Sequence, residues 1–300
     1  MKLIVLLSAY NGEAYIREQL DSLLDQTLDG VEILVRDDGS SDGTCEILAE
    51  YAQLGKLHWY EGENLGPARS FWQLLQSCGD ADYYAFCDQD DVWDSDKLKI
   101  AVSTLESNET GKPALYCGDV MVTDAKLQVK KTLMVRPCPT DYEHALLRNL
   151  APGCTYVFNQ AARELLCRYE TEKLGIDKHD WTTYQIIACF GSVIYDPLPH
   201  MCYRQHGENT IGAHRTDAHA WAEKVISFWC GPMKNSRQIQ ALRMEQEFER
   251  EMCQENRELT AMLAHYRENR QTKRELLKRL KKIDDMDGRL AWLAATLDRL

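Results

Sequence analysis

The sequence lacks several features that define common protein classes. It has no apolar run of the roughly 18 residues that span a bilayer, and its opening run, Leu3–Leu7, is too short for the core of a signal peptide. Its eleven cysteines form no repeated CxxC and no Cys/His cluster with zinc spacing. We therefore expect neither a disulfide scaffold nor a structural zinc site, and we interpret the opening run as the first β-strand of a cytoplasmic protein.

Two phosphate-binding signatures are also missing. The first strand-to-helix turn lacks GxGxxG, and no GxxxxGK[ST] occurs in the chain. The Rossmann dinucleotide and P-loop classes therefore lose their main support. The formal net charge of −12 argues against nucleic-acid binding, because neutralising phosphates needs clustered Lys and Arg. It fits a protein that gathers carboxylates around a cation.

The first part of the chain alternates short apolar runs with longer helix-like segments. Strands are predicted at 3–7, 31–36, 57–61 and 83–87, and helices between them at 14–25, 44–54 and 68–78. This alternation is typical of a mostly parallel, doubly wound α/β sheet. The 300 residues, 44% of them apolar, suffice for one large domain of this class with an appendage.

A polar motif follows each of the four predicted strands. In chain order these motifs are Ser8–Asn11, Asp37–Ser40, Asn64–Gly66 and Asp88–Asp91. Ligands of doubly wound sheets bind in the loops after the carboxyl ends of the strands. We therefore expect the four motifs to converge on one edge of the sheet and to form the binding site.

Three carboxylates, those of Asp88, Asp90 and Asp91, lie within four positions after the fourth strand. Like-charge repulsion makes this placement costly unless a cation compensates it. Mg²⁺ and Mn²⁺ prefer oxygen ligands and typically take one or two carboxylates beside phosphate and water. The motif therefore predicts a divalent-metal site, and the alternative is a solvated turn that caps the next helix.

The first two loops carry groups suited to a nucleobase. Tyr10–Gly12 offers an aromatic face, an amide and a flexible turn, and a carboxylate of Asp37–Ser40 suits the imide N–H of a pyrimidine. Each motif also has a simpler interpretation. The first is then an ordinary strand-to-helix turn and the second a helix cap.

Two later motifs carry candidate catalytic groups. His179–Trp181 begins a predicted helix, and Asp180 beside an aromatic wall suits a base that deprotonates an attacking hydroxyl; the alternative is an N-cap. In the late loop 203–209, Arg204 suits pairing with a diphosphate and His206 suits contact with a metal or a phosphate. For His206 a structural role is the alternative.

The second half of the chain has a mixed pattern followed by a basic, helical end. Strand-like segments lie at 114–123, 155–159 and 193–198, where we place acceptor recognition. Residues 216–300 predict two or three helices. Residues 221–300 carry 16 Lys and Arg against 13 Asp and Glu, a net charge of +3, which leaves −15 for residues 1–220.

Basic residues of this end interleave with apolar ones. Lys and Arg at 273, 274, 278, 279, 281 and 282 alternate with Leu and Ile at 276, 277, 280 and 283. The pattern suits an amphipathic anchor at the inner face of the plasma membrane, which would fit a lipid-linked acceptor. It equally suits helices that pack on the domain or pair in a homodimer.

Together the motifs resemble the family 2 glycosyltransferases of the GT-A fold and, more narrowly, their bacterial rhamnosyltransferase-like branch. The segments that carry the resemblance are Ser8–Gly12, Glu18–Gln19, Gln26–Thr27, Asp37–Thr44, Asn64–Gly66, Asp88–Trp93, Gly153–Thr155, His179–Trp181 and Tyr203–His206. The resemblance implies an α/β GT-A domain over 1–215, with a nucleotide-sugar-binding half at 1–110 and an acceptor-binding half at 111–215. A helical C-terminal extension then covers 216–300.

The resemblance also implies a role for each matching residue. The residues that would bind the donor nucleotide are Ser8, Tyr10, Asn11, Asp38 and Asp88, and those that would bind the metal are Asp88, Asp90 and Asp91. Arg204 and His206 would contact the diphosphate, and Asp180 would be the catalytic base. Within this set Asp38 contacts the base, Tyr10 lies against it, and Asp90 is the direct metal ligand. Ala9, Arg36 and Thr182 depart from the branch pattern without removing a group that the chemistry requires.

The activity that the resemblance implies is an inverting sugar transfer assisted by Mg²⁺ or Mn²⁺. The donor would be dTDP-rhamnose and the acceptor a saccharide or lipid-linked saccharide, as in bacterial surface-polysaccharide or O-antigen synthesis. One alternative is transfer of another hexose from a UDP-sugar. An alternative of another class is a non-catalytic nucleotide-binding scaffold that works through its C-terminal helices.

Overall fold

The computed structural model describes residues 1–132, 138–206, 235–283 and 285–300. The chain groups into two compact units, Met1–Thr140 with Ala151–Ile211, and Asp141–Leu150 with Gly212–Leu300. The end of the predicted late loop, 207–209, and the first part of the predicted extension lie outside the described residues. The division at 215 and the one at 110 stay predictions.

The strands and helices of the described residues are bounded as follows. The strands are β1 Leu3–Ala9, β2 Val31–Asp37, β3 His58–Glu61, β4 Tyr83–Asp88, β5 Val92–Trp93, β6 Ala114–Gly118, β7 Met121–Asp124, β8 Val129–Thr132, β9 Val157–Asn159, β10 Ser192–Asp196 and β11 Met201–Gln205. The helices up to residue 190 are α1 Ile16–Leu24, α2 Thr44–Gln53, α3 Pro67–Ser77, α4 Lys97–Ser107, α5 Tyr142–Leu147, α6 Gln160–Leu166, α7 Thr171–Leu174 and α8 His179–Phe190. A 3₁₀ turn covers Gly153–Thr155.

The main sheet of the first unit has seven strands in the order β10-β6-β9-β4-β1-β2-β3. Neighbouring strands are parallel except around β9, which is antiparallel to both β4 and β6. The central strand β1 is apolar and buried from Leu3 to Leu7, as expected for a strand covered on both faces. The prediction of a mostly parallel sheet with helices between its strands is confirmed.

One predicted strand, 114–123, is in fact two strands in different sheets. The chain leaves β6 at Asp119, whose N–H donates to the carbonyl of Asp196 and whose carboxylate accepts from the N–H of Val120 at 2.8 Å. Beyond this turn, β7 joins a second sheet with the order β5-β11-β7-β8. Only Gly118 and Asp119 interrupt the apolar residues of this segment, so hydrophobicity alone did not mark the break.

The carboxyl ends of the central strands lie level with one another. In the register of the sheet, Ser8 of β1 lies opposite both Arg36 of β2 and Asp88 of β4, and Ala9 lies opposite Asp37. The loops that follow these strands therefore begin at the same edge, which is the geometry that the alternating pattern predicted.

The second unit combines α5 with helices from the C-terminal part of the chain. These are α9 Ser236–Phe248, α10 Gln254–His265, α11 Arg270–Leu280 and α12 Met286–Thr296. Two or three helices were predicted beyond residue 216, and the described part alone contains four. Short turns separate them without a proline or a run of glycines to mark the ends. Across residues 1–132, 138–206, 235–283 and 285–300, no helix is long and apolar enough to cross a membrane.

Candidate active site

One glutamine connects the first loop, which follows β1, with the acidic loop, Asp88–Asp91, which follows β4. The N–H of Tyr10 donates to Oε1 of Gln89 at 2.8 Å, and Nε2 of Gln89 donates to the carbonyl of Tyr10 at 2.9 Å. A Cβ at Gly12 would lie 2.3 Å from the same Oε1, so glycine leaves room for this side chain. The Tyr10 ring is 47% exposed, so the residue predicted to lie against a base faces solvent at this edge.

Asn11 and Ser8 connect the first loop to its neighbours. Asn11 has φ 48°, a left-handed conformation that asparagine adopts more readily than most residues. Its N–H donates to Oγ of Ser40 at 2.9 Å, and its side-chain oxygen accepts from the N–H of Ser41 at 2.8 Å. Oγ of Ser8 lies 2.6 Å from Oγ of Ser70. Both predicted donor-binding residues therefore also hold the loops in place.

The two aspartates of the second loop have different functions within the protein. Asp37 closes the turn, because its Oδ2 accepts from the N–H groups of Gly39 and Ser40 at 3.1 and 2.8 Å. Asp38 is 2% exposed and accepts from the N–H groups of Leu65 and Gly66 at 3.0 and 2.8 Å. The helix-cap alternative fails for both, since α2 has Gly43 as its N-cap and no side-chain cap.

Arg36 is the centre of a buried network that the sequence analysis did not assign to the site. Its side chain is 1% exposed and forms an ion pair with Asp38. It also donates to Oε1 of Gln73 at 3.0 Å, to Oγ of Ser70 at 3.1 Å and to the carbonyl of Glu63 at 2.8 Å. The network joins β2, α3 and the third loop behind Asp38. An arginine directly before an acidic pair at a strand end was the available signal.

The packing of this arginine gives a stability prediction. A Cβ at Gly62 would lie 2.3 Å from Nη2 of Arg36, whereas a Cβ at Gly79 meets nothing within 4 Å. Gly62→Ala should therefore lower the free energy of unfolding by about 1–3 kcal/mol in urea denaturation, as overpacking does. Gly79→Ala is the matched control and should stay within about 0.5 kcal/mol of wild type. Equal stability of the two variants would contradict this packing.

Asp88 and Asp91 form an acidic cluster with a residue from another segment, Cys154. One ligand atom of each lies within 4.8 Å of the others, and Asp91 and Cys154 are buried. Burial, with the charges of Asp90 and Asp180, raises the pKa of Asp88 to about 7. Burial and the charges of Asp90 and Asp88 raise the pKa of Asp91. Without a cation, this edge of the sheet therefore carries more negative charge than it stabilises.

Asp90 lies on the other side of the acidic loop, beside the late motif. Its Oδ2 is 2.8 Å from Nε2 of His206, and the His206 ring packs on Tyr15 with centroids 4.4 Å apart and the planes tilted by 32°. The structure thus brings together Asp90 and His206, which are 116 residues apart in sequence. Carboxylate and imidazole are both ligands for Mn²⁺, whereas Mg²⁺ prefers the oxygens.

Arg204 does not have the surroundings predicted for a diphosphate-binding residue. Its side chain is 3% exposed and pairs with Glu18. It also donates to the carbonyls of Asp90 and Ala125 at 2.8 Å each, and its guanidinium lies 4.8 Å from the centre of the Tyr15 ring. Direct pairing with a diphosphate is not supported by this arrangement. Arg204 instead ties β11 to the acidic loop, where its N–H also donates to Asp91 at 3.1 Å.

Asp180 lies in the first turn of α8, at the same edge as the acidic cluster. The N-cap of α8 is Lys178, so the N-cap alternative for Asp180 is wrong. A Cβ at Gly153 would lie only 3.0 Å from Cβ of Asp180, which shows how closely the 3₁₀ turn approaches this helix. The charge of Asp180 contributes to raising the pKa of Asp88, so the two carboxylates are close enough to repel each other.

The neighbouring His179 is an uncharged packing residue. Its ring stacks on Phe71 at 4.1 Å and meets Phe86 edge-on at 5.2 Å. Within the described residues, its Nε2 is buried without a hydrogen-bond partner. Burial lowers the pKa of His179 to about 4. The ring therefore fixes the start of α8 and with it Asp180.

This burial has a consequence for stability below neutral pH. The unfolded chain protonates His179 near pH 6.5 but the folded chain only near pH 4, so the stability that neutral His179 gives is lost as the pH falls. The unfolding free energy of wild type relative to His179→Phe should fall by about 2 kcal/mol between pH 7 and pH 5. His58→Phe, on the exposed side of β3, is the control and should show no such pH dependence. Parallel pH profiles of His179→Phe and wild type would contradict the assignment.

The residues at this edge suit a divalent cation. Asp88, Asp90 and His206 offer two carboxylates and an imidazole, and Asp88 has a raised pKa that a cation would relieve. Oδ2 of Asp91 is buried without a hydrogen-bond partner among the described residues. Cys154, a residue to which the sequence analysis gave no role in the site, adds a thiol. Its position in the resembling segment Gly153–Thr155 was the only signal.

Comparison with known proteins agrees with this geometry. Residues 4–165 match the model of Glycosyl transferase family 2. The dTDP-rhamnosyl transferase RfbG of Shigella flexneri is 28% identical over 219 residues, which cover 69% of this chain and 74% of RfbG. The uncharacterized glycosyltransferase RT0329 of Rickettsia typhi is 29% identical over 240 residues, covering 77% of this chain and 71% of its own.

Solved structures show the same fold. S. aureus TarS 1-349 in complex with UDP superposes with a TM-score of 0.57 at 17% identity, covering 98% of this chain and 79% of that one. The mixed sheet with polar loops at its carboxyl edge is a GT-A nucleotide-sugar transferase fold. Because the matched segment is more than half of the chain, the protein belongs to glycosyl transferase family 2. Its resemblance to the rhamnosyltransferase-like branch is confirmed.

Proposed function

We propose that this glycosyltransferase transfers rhamnose from dTDP-rhamnose to a hydroxyl group of a saccharide acceptor, with inversion and with the help of Mg²⁺ or Mn²⁺. The observation that supports the proposal is the proximity of Asp88 to Asp90 and Asp180, whose charges help to raise the pKa of Asp88. A nucleotide-sugar donor places a diphosphate and a reacting carbon side by side. Transfer from such a donor needs a cation at the diphosphate and, near the reacting carbon, a base that deprotonates the acceptor hydroxyl.

The donor half of the site binds the nucleotide through the first two loops. The family resemblance assigns base recognition to Asp38, whose buried carboxylate is held at the end of β2 by Arg36 and by the N–H groups of Leu65 and Gly66. The exposed ring of Tyr10 lies against the base. Ser8 and Asn11 shape the same pocket through their contacts with Ser70 and the second loop.

The transfer itself is a single displacement. As the acceptor oxygen bonds to the anomeric carbon, Asp180 takes the hydroxyl proton and the bond from that carbon to the diphosphate oxygen breaks. Asp90, Asp88 and His206 would hold the metal, with Asp91 as a helper. When bound, the metal neutralises the negative charge that develops on the diphosphate. Arg204 keeps the acidic loop against β11 and contributes by positioning.

The choice of donor and pathway is supported by sequence similarity. The relative named dTDP-rhamnosyl transferase aligns with 69% of this chain, and β-linked dTDP-rhamnose would give an α-rhamnoside on inversion. The acceptor would belong to surface-polysaccharide or O-antigen synthesis and would be a saccharide or a lipid-linked saccharide. A UDP-hexose donor is the alternative, because the contacts to base and diphosphate are shared.

A thermal-shift panel tests the donor assignment. The full chain is heated with dTDP-, UDP- and GDP-sugars, each with and without Mn²⁺. A ligand at about 100 times its dissociation constant stabilises the folded state by about 2.7 kcal/mol, so a selective donor gives a clear rise in Tm. We expect the largest rise with dTDP-rhamnose and Mn²⁺ together.

The remaining outcomes of the panel separate the alternatives. A larger, metal-dependent rise with a UDP-sugar would favour the UDP-hexose transferase. An equal rise with all three nucleotides would contradict recognition of the base by Asp38. Stabilisation without any donor turnover would favour the non-catalytic scaffold.

A further inference from the structure

The outer surface of the second unit carries an apolar stripe on its last helix. Leu290, Leu293 and Leu297 follow the spacing i, i+3, i+7 and are 46%, 44% and 39% exposed. Trp292 beside them is 38% exposed. In the same helix Ala291, Ala294 and Ala295 are completely buried. We call Leu290, Leu293 and Leu297 the leucine stripe.

The preceding helix, α11, and the two residues that follow it expose a basic stripe. Arg274, Lys278 and Lys281 follow the spacing i, i+4, i+7, and Lys282 continues it; all four side chains are exposed. Among the described residues no carboxylate pairs with any of them, whereas Arg279 pairs with Glu143 at 2.5 Å. The opposite side of α11 buries Leu276 and Leu280. We call these four residues the basic stripe.

The two stripes lie on one helical hairpin. Nζ of Lys273, near the start of α11, is 2.7 Å from Asp298 and 3.3 Å from the carbonyl of Thr296, at the end of α12. The helices are therefore antiparallel, and the C-terminal end of α11 lies beside the start of α12. Both stripes are exposed to solvent on this hairpin.

We propose that this hairpin is a docking surface for an anionic lipid bilayer, with the leucine stripe inserted among the lipid chains and the basic stripe on the phosphate headgroups. A helix with an exposed apolar face beside unpaired Lys and Arg binds such an interface by both effects. A second copy of the chain is a less suitable partner for this surface because of the positive charge of the basic stripe. In a two-fold interface the same patch meets itself, and unpaired lysines would then lie opposite lysines.

Vesicle flotation of the full chain tests this surface. The protein should float with vesicles that contain phosphatidylglycerol and not with phosphatidylcholine alone. Raising the salt from about 0.1 M to about 1 M should release it, because the screening length falls from about 10 Å to about 3 Å. Lys278→Gln/Lys281→Gln/Lys282→Gln should weaken binding on the order of 100-fold. Leu290→Ser/Leu293→Ser/Leu297→Ser should weaken it by at least about 10-fold.

A double variant of the first unit is the control for the flotation experiment. Leu54→Ser/Lys56→Gln changes an exposed leucine and an exposed lysine of the first unit and should float like wild type. If the serine variant fails to fold by circular dichroism, the charge variant still decides. Absence of flotation with anionic vesicles overturns the proposal, as does binding that neither stripe variant weakens. A dimer in light scattering that the serine variant abolishes, without vesicle binding, assigns the surface to a second copy instead.

Discussion

Asp180→Asn should reduce donor turnover by at least about 100-fold while the protein still binds its donor. Asparagine has the size of aspartate, and its amide oxygen can still accept the N–H of Trp181, which Asp180 accepts at 2.8 Å. It cannot take a proton, and general base catalysis typically contributes a factor of about 10²–10⁴. Turnover is measured as the initial rate of nucleoside-diphosphate release with acceptor and Mn²⁺. Donor binding is measured separately as the rise in Tm that the donor causes.

The comparison separates catalysis from folding. Glu172→Gln makes the same charge change at an exposed position in the first turn of α7, and its rate should equal that of wild type. Asp180→Asn should lower kcat far more than it changes the KM for the donor, since the lost interaction concerns the proton transfer. A kcat close to wild type would assign the base to another residue.

Asp90→Asn should abolish the Mn²⁺-dependent part of donor binding together with most of the activity. The variant keeps the size of the side chain beside His206 but loses the charge of the predicted metal ligand. Mutation of groups that only support metal ligands commonly lowers metal affinity or activity about 10- to 100-fold. For a direct ligand we therefore expect activity to fall by at least about 100-fold at a fixed Mn²⁺ concentration. Titration of Mn²⁺ against the donor-dependent Tm should show no saturable rise.

Asp96→Asn serves as the matched control for this change. Asp96 is exposed, lies six residues later and precedes α4, where it makes no side-chain cap. Its Mn²⁺ titration should overlay that of wild type. A normal titration for Asp90→Asn would remove Asp90 from the metal site and move attention to the cluster of Asp88, Asp91 and Cys154.

The strands and loops of the donor half of the fold could be predicted from the sequence because they are marked by patterns of neighbouring residues. Short apolar runs gave β1 to β4, and the rule for parallel strands brought the following loops to one edge. The same reasoning failed for β5, β8 and β11. Val92–Trp93 has only two residues and Val129–Thr132 is exposed throughout, so neither carries the hydrophobic alternation from which strands are predicted.

The partners of individual side chains were less accessible to sequence reasoning. Arg204 looked like a diphosphate ligand because its residue type and loop position suited one. In the structure its guanidinium is buried against Tyr15 and pairs with Glu18, contacts that its residue type did not reveal. Likewise, a cysteine next to an acidic pair is visible only when the 3₁₀ turn at Gly153–Thr155 is seen to lie beside β4.

The sequence by itself determined the fold class, the edge at which the site forms and the residue types available for metal and base, because hydrophobic period and loop placement are properties of neighbouring residues. Tertiary structure alone decided which groups meet. Asp90 and His206 are 116 residues apart, and Arg36 reaches Asp38, Gln73 and the carbonyl of Glu63 only in the folded chain. Contacts between distant segments depend on the register and packing of whole elements, which no local pattern encodes.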